Sequence, residues 1–282
     1  MPTLSDSELA ACFGLPPKRV IAYLEAKGFT VSWDWEEVWQ EAHAQAFTVA
    51  KLTRLDVLED VRRTLETALA EGKTGQWFEK ELTPVLQAKG WWGKNEAVDP
   101  HTGEVIEVQQ GSPWRLETIY RTNMSTLYSA GRWAEQMENV AERPYFMYVA
   151  IRDNHTRQSH LALHGQVFAA DDPFWKAFYP PNGWRCRCSV IALSAADVRE
   201  RGLKIAASGD ALGWSLTLVS KQTGELKPVA HYRVRDIVHN SEITVSTDVG
   251  WSYNPGEGYR PDLAKYQGSL AGLAQRELGE WQ

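Results

Sequence analysis

At Arg143-Pro144 the apolar periodicity of the chain changes. Ahead of that point, Leu116, Ile119, Tyr120, Leu127 and Tyr128 share one face of a long helix started by Ser112-Pro113. Pro144 stops it, because the residue before a proline is pushed out of the helical region. Beyond it, Tyr145, Met147, Val149 and Ile151 alternate with Phe146, Tyr148, Ala150 and Arg152. Both sets are largely apolar, so the segment reads as a strand covered on both faces. The class implied is α+β: a helical N-terminal arm, then a mixed α+β domain with a small antiparallel sheet.

The same reading extends to the rest of the chain. Pro16-Pro17 opens a helix through Val20, Ile21 and Leu24 that Gly28 closes. Asp34 and Glu37 have the spacing of a capping box ahead of Trp35, Val38, Trp39, Ala42 and Ala46. Leu55, Leu58, Val61, Leu65 and Leu69 form one stripe, and Trp77, Phe78 and Leu82 continue helically until Pro84. Asp99 to Gly103 is turn chemistry, with a hairpin or loop reaching Gln110. After Pro144 the expected order is a turn and short helix over 153–163, a strand over 165–168, and a strand from Trp184 to Leu193. A helix capped by Ser194 follows, then a hairpin around 222–225 and a last helix near Leu263 to Leu278. The organisation predicted is a helical region over 1–110, a core domain over 111–202 and a C-terminal hairpin-and-helix extension over 203–282.

A net charge of −6 and a pI near 5.7 give no global basic field, so broad coating of nucleic acid is not the default reading. Three cysteines are too few for a disulfide scaffold and point to a reducing compartment. The first residues lack the basic and apolar blocks of a signal peptide, and no apolar run is long enough to span a bilayer. Tryptophan is over-represented, with 13. Large amphipathic rings fill cores and also favour contacts between proteins, which fits a chain that lives in an assembly.

Two polar clusters stand out: Asp153-Asn154-His155-Thr156-Arg157-Gln158-Ser159-His160, and Cys186-Arg187-Cys188. Four chemistries fit them. His160 and His164 share a helical face, and Cys186 and Cys188 share a strand face, so together they offer two nitrogens and two thiolates for tetrahedral zinc. Asp153, His155, His160 and His164 offer general acid–base groups, with Arg157 to hold a phosphate, as a His-dependent nuclease needs. Trp184 with Arg185 and Arg187 pairs an aromatic platform with guanidinium, a feature of single-strand binders. The bland alternative is a hydrogen-bonded core histidine, small buried cysteines and a network that fixes a turn. The aromatic segment Asp171-Asp172-Pro173-Phe174-Trp175 either plugs its own core or docks on a partner.

Read together, these residues resemble the phage Mu F-like minor head proteins, a head-morphogenesis family of tailed phages. The resemblance rests on Pro144 to Tyr148, Asp153 with Thr156, Arg157 and His160, then Leu163-His164-Gly165, Asp172-Pro173 and Pro180 to Cys188. Ala46 to Lys51, Arg121-Thr122-Asn123, Tyr128 to Arg132 and Tyr253 to Gly256 add to it, so it covers nearly the whole chain. It implies a structural motif of Asp153, Thr156, Arg157, His160, Gly165, Cys186, Arg187 and Cys188, with no catalytic residue. It also implies a minor capsid protein in the virion interior or at the portal vertex, present in the host cytoplasm during assembly. The partners implied are the portal, the major capsid protein or both, with phage DNA as a further candidate and no membrane. Parts of the family carry a plain zinc pattern here. This chain departs from it, with Arg157 where the first cysteine would stand and no histidine shortly before Cys186.

Overall fold

The computed structural model describes residues 17–221, 223–236 and 241–257. They group into two compact units, 17–124 and 125–257.

The first unit is helical. α1 (Pro17–Ala26) buries Val20 and Leu24. Two-residue strands β1 (Gly28–Phe29) and β2 (Ala46–Phe47) pair in parallel, with the short α2 (Ala42–Gln45) leading into β2. α3 (Leu55–Glu71) buries Val57, Leu58, Val61, Leu65 and Leu69, the predicted stripe, and ends on Gly72 at φ 63. α4 (Gly75–Ala88) starts where Thr74 accepts from the Trp77 N–H and buries Phe78, Leu82 and Leu86. β3 (Lys94–Val98) and β4 (Val105–Gln109) form an exposed antiparallel hairpin.

Two expectations fail in this unit. Asp34 and Glu37 do not build a capping box: Asp34 takes Lys51 at 2.7 Å, Glu37 accepts from the Trp33 N–H, and only a 3-10 turn forms over Trp35–Glu37. Pro84 does not end α4, which runs on to Ala88. An internal proline costs about 3 kcal/mol, but a buried Phe or Leu contributes roughly 1.5–3 kcal/mol each, so the apolar face outweighs the lost hydrogen bond.

α5 (Pro113–Glu138) contributes to both units, and the division falls between Met124 and Ser125. In the second unit, β5 (Tyr145–Val149) is central. It runs antiparallel to β6 (Val167–Ala169) on one side and β7 (Ser189–Leu193) on the other, and β8 (Ile205–Ala206) adds in parallel to β6. Phe146 and Tyr148 face one apolar cluster, and Met147 and Val149 face a second, which accounts for the doubly apolar strand. The larger cluster is aromatic. Trp175 lies between Phe146, Phe168, Phe174 and Tyr179, so the Asp171–Trp175 segment plugs its own core through α7 (Phe174–Phe178).

α6 (Gln158–Leu163) follows the Asp153 turn, and α8 (Ala195–Glu200) begins with a full capping box of Ser194 and Asp197. β9 (Leu212–Leu218), β10 (Leu226–Asp236) and β11 (Ser241–Ser246) form an antiparallel sheet, of which the pattern anticipated only the first two strands. Tyr232, Val234 and Val245 from this sheet join the aromatic cluster. The helix expected near Leu263 to Leu278 lies outside the described residues. Among the described residues no helix is long and apolar enough to cross a membrane.

Candidate functional site

The two polar clusters meet in the second unit, and the residues between them explain how. The Tyr148 carbonyl accepts from the Gly165 N–H at 2.9 Å, so the chain turns back directly from α6 into β6. Gly165 sits at φ 81, a left-handed conformation that favours glycine. α6 thereby lies beside the segment that leads into β7. That segment is not strand: β7 begins only at Ser189, so Cys186 and Cys188 precede it in irregular chain after a turn at Trp184-Arg185. The expected strand from Trp184 is corrected accordingly. Arg185 at φ 60 turns the backbone away from strand geometry.

Three links join the two segments. Arg187 makes a bidentate pair with Asp153, Nη1 to Oδ2 at 2.8 Å and Nη2 to Oδ1 at 2.6 Å. Asp153 Oδ1 also accepts from the His155 N–H and the Thr156 hydroxyl, both at 3.0 Å. The Arg187 guanidinium, with Thr156 and the His155 N–H behind it, holds the Asp153 carboxyl far below the usual carboxylate range. The second link is Arg157, which donates to the Trp184 carbonyl at 3.0 Å and pairs with Asp248 at 3.0 Å. Asp248 accepts from the Trp184 N–H as well, and the two tryptophans Trp184 and Trp251 meet edge to face. A Cβ at Gly183 would stand 2.2 Å from Asp248 Oδ2, so only glycine leaves room for this approach.

The third link is a thiol–imidazole cluster. His160 is 3% exposed, and its Nδ1 lies 3.5 Å from Cys186 Sγ and 3.4 Å from Cys188 Sγ. Its Nε2 has no hydrogen-bond partner among the described residues. Cys188, the Cys186 neighbour, together with the His160 ring and the Asn182 N–H, holds the Cys186 thiol well below its usual range. Its hydrogen bond with Cys186, and burial, push Cys188 well above it. Behind them Tyr148 donates to Asn182 Oδ1 at 2.8 Å, and burial raises the Tyr148 phenol well above its usual range.

Of the residues singled out from the sequence, Asp153, Thr156, Arg157, His160, Gly165, Cys186, Arg187 and Cys188 all lie in or beside these links. The set proposed for a metal comes together only in part. His160, Cys186 and Cys188 converge, with donor atoms all within 4.8 Å of one another. His164 does not join them: its Nδ1 accepts from the Ala150 N–H at 3.1 Å, an allegiance that fixes the end of β5 instead. Helical spacing from His160 fails because α6 ends at Leu163, one residue short. The guanidiniums of Arg157 and Arg187 are already paired with carboxylates, so neither faces outward as a free phosphate clamp. Tyr148, Asn182 and Asp248 were not assigned a role from sequence. Asn182 lies in the stretch Pro180 to Cys188 that carries the resemblance, whereas nothing local marks Asp248 as the partner of Arg157.

The fold and these links define an α+β domain whose polar motif ties two loops together around buried sulfur and nitrogen. Residues 59–191 match the profile of the family described as "Phage Mu protein F like protein". The chain belongs to that family. It is 46% identical over 249 residues to a "Putative capsid assembly protein F" of Escherichia phage Mu, which is 88% of this chain and 56% of that protein. It is also 46% identical over 251 residues to the "Mu-like prophage FluMu F protein" of Haemophilus influenzae, 88% of this chain and 58% of that one. The chain thus spans a little over half the length of these relatives. No solved structure matches it.

Proposed function

We propose that this chain is a capsid-assembly (head-morphogenesis) protein of a tailed phage or prophage, and that it acts by binding other head components rather than by catalysis. One observation carries the reading: 46% identity to a phage Mu protein named for capsid assembly runs over 88% of the chain, through both structural units. The links around Asp153 and Arg157 support it. They engage their charged groups with one another, as a rigid scaffold does, whereas a nuclease site keeps such groups aimed at a substrate. The exposed row Trp214, Leu216 and Leu218 on the edge strand β9, with Leu226 opposite on β10, is the kind of surface that assembly covers.

On this reading the helical region docks to the portal or the major capsid protein, the α+β unit is the rigid body, and the site of action is the assembling head in the host cytoplasm, then the virion. The test is co-purification of head particles with a tagged full-length chain, and with a chain lacking the helical region. The full chain is expected to bring down head proteins and the truncated chain to lose them. A full-length chain found with none, at any stage of head assembly, contradicts the proposal.

A further inference from the structure

The thiol–imidazole cluster has the dimensions of a metal site. Zinc holds thiolate sulfur at about 2.3 Å and imidazole nitrogen at about 2.0–2.1 Å, so a tetrahedral N–Zn–S angle separates N and S by about 3.5 Å. The two separations found are 3.5 Å from His160 Nδ1 to Cys186 Sγ and 3.4 Å to Cys188 Sγ. All three donor atoms lie within 4.8 Å of one another.

The surroundings favour a cation over a hydrogen-bonded core histidine. A histidine buried for structural reasons ordinarily spends its ring nitrogens on oxygen or nitrogen partners. Buried His160 directs Nδ1 at two sulfurs, and its Nε2 has no partner among the described residues. Soft thiolates with one imidazole select zinc over magnesium or calcium. The remaining neighbours look like outer support. Arg187, between the two cysteines, is fixed by Asp153, and Tyr148 sits behind them on Asn182. Such outer contacts orient ligands in metal sites.

We propose that His160 Nδ1, Cys186 Sγ and Cys188 Sγ bind one zinc ion, with a water as fourth ligand entering beside the half-exposed Cys188. His164 is not a ligand. The ion joins α6 to the segment before β7, alongside the Asp153–Arg187 pair. The site stands independently of the capsid reading, since it rests on donor geometry alone.

The test uses the full-length chain, purified from zinc-supplied cells and passed through gel filtration. Elemental analysis is expected to find about one zinc per chain. Replacing it with cobalt(II) should give thiolate-to-cobalt charge-transfer absorption and the strong visible bands of tetrahedral geometry. Cys188→Ser should lose most of the bound metal and the charge-transfer intensity, whereas His164→Ala should keep both. A chelator should lower the melting temperature of the wild type and leave that of Cys188→Ser unchanged. The proposal is overturned by folded wild-type protein that takes up neither zinc nor cobalt, by a Cys186–Cys188 disulfide in the intact chain, or by loss of metal in His164→Ala. Should Cys188→Ser fail to fold, the wild-type cobalt spectrum still decides.

Discussion

The two units hold their positive charges differently. In the helical unit Lys27 ends on the His43 carbonyl and Arg115 on those of Ala50 and Gln109, while Arg62 reaches Glu66 as well as the Lys27 and Glu25 carbonyls, and Lys51, Arg63 and Lys89 pair with carboxylates. In the α+β unit the arginines of the motif reach carboxylates: Arg187 pairs with Asp153, and Arg157 with Asp248 as well as donating to the Trp184 carbonyl. A carbonyl satisfies the hydrogen bond but brings no opposite charge, so burial dominates. Lys27 is pushed down to about 8 by burial and the nearby Arg62, and Arg115 to about 10 by burial. Arg187 beside Asp153 is instead raised. The cores differ too, aliphatic along α3 in the first unit and aromatic around Trp175 in the second. The lesson is that the helical unit leaves the buried Lys27 on a backbone carbonyl, whereas the α+β unit ties Arg157 and Arg187 of its polar motif to carboxylates.

The sharpest way to break that contrast is in the cores. Trp175→Ala removes a fully buried ring with four aromatic neighbours and should cost about 3–5 kcal/mol, read as a lower denaturant midpoint. Leu58→Ala in α3 should cost less, roughly 2–3 kcal/mol, since it leaves a smaller cavity. An equal loss would end the distinction. Next comes Gly183→Ala, whose new Cβ meets Asp248 at 2.2 Å and must displace the Arg157 link; about 1–3 kcal/mol is expected by the same measurement.

A pH titration separates the units further. His43 is pushed down to about 4 by burial and by the neighbouring Lys27, against an ordinary value of 6.5. The unfolded chain therefore binds the extra proton first. Stability should rise with pH between about 4 and 6.5 and then level off. About 1–2 kcal/mol is a fair scale for a ring that keeps some exposure, and His43→Gln should flatten that part of the profile. Asp153 behaves in the same direction but lower. Its folded value is depressed, so its contribution is complete above the ordinary carboxylate range of about 3.9 and fades as pH falls below it. Arg187→Lys keeps the charge and loses the bidentate geometry. It should give the smallest loss of the series and a shallower acid limb.

Much of this was legible in the sequence, and the contrast explains which part. α3 and β5 could be read because their signals are local: a stripe at 3.6-residue spacing, and alternation of two apolar sets. The meeting of the histidine turn with the paired thiols was legible because both ends carry rare polar residues. What failed depended on distant partners. Asp34 left its capping role for Lys51, Pro84 was tolerated because Phe78, Leu82 and Leu86 are buried, and His164 turned to the Ala150 N–H. Asp248, which completes the Arg157 link, has no signal within its own stretch of chain.

The claim that this chain builds phage heads is tested most directly by deleting its gene from the phage or prophage that encodes it and counting infectious particles. The account expects infectious titre to collapse, with electron micrographs showing absent or aberrant heads, and a plasmid copy of the chain's full gene to restore both. Normal heads at normal titre in the deletion strain would contradict it.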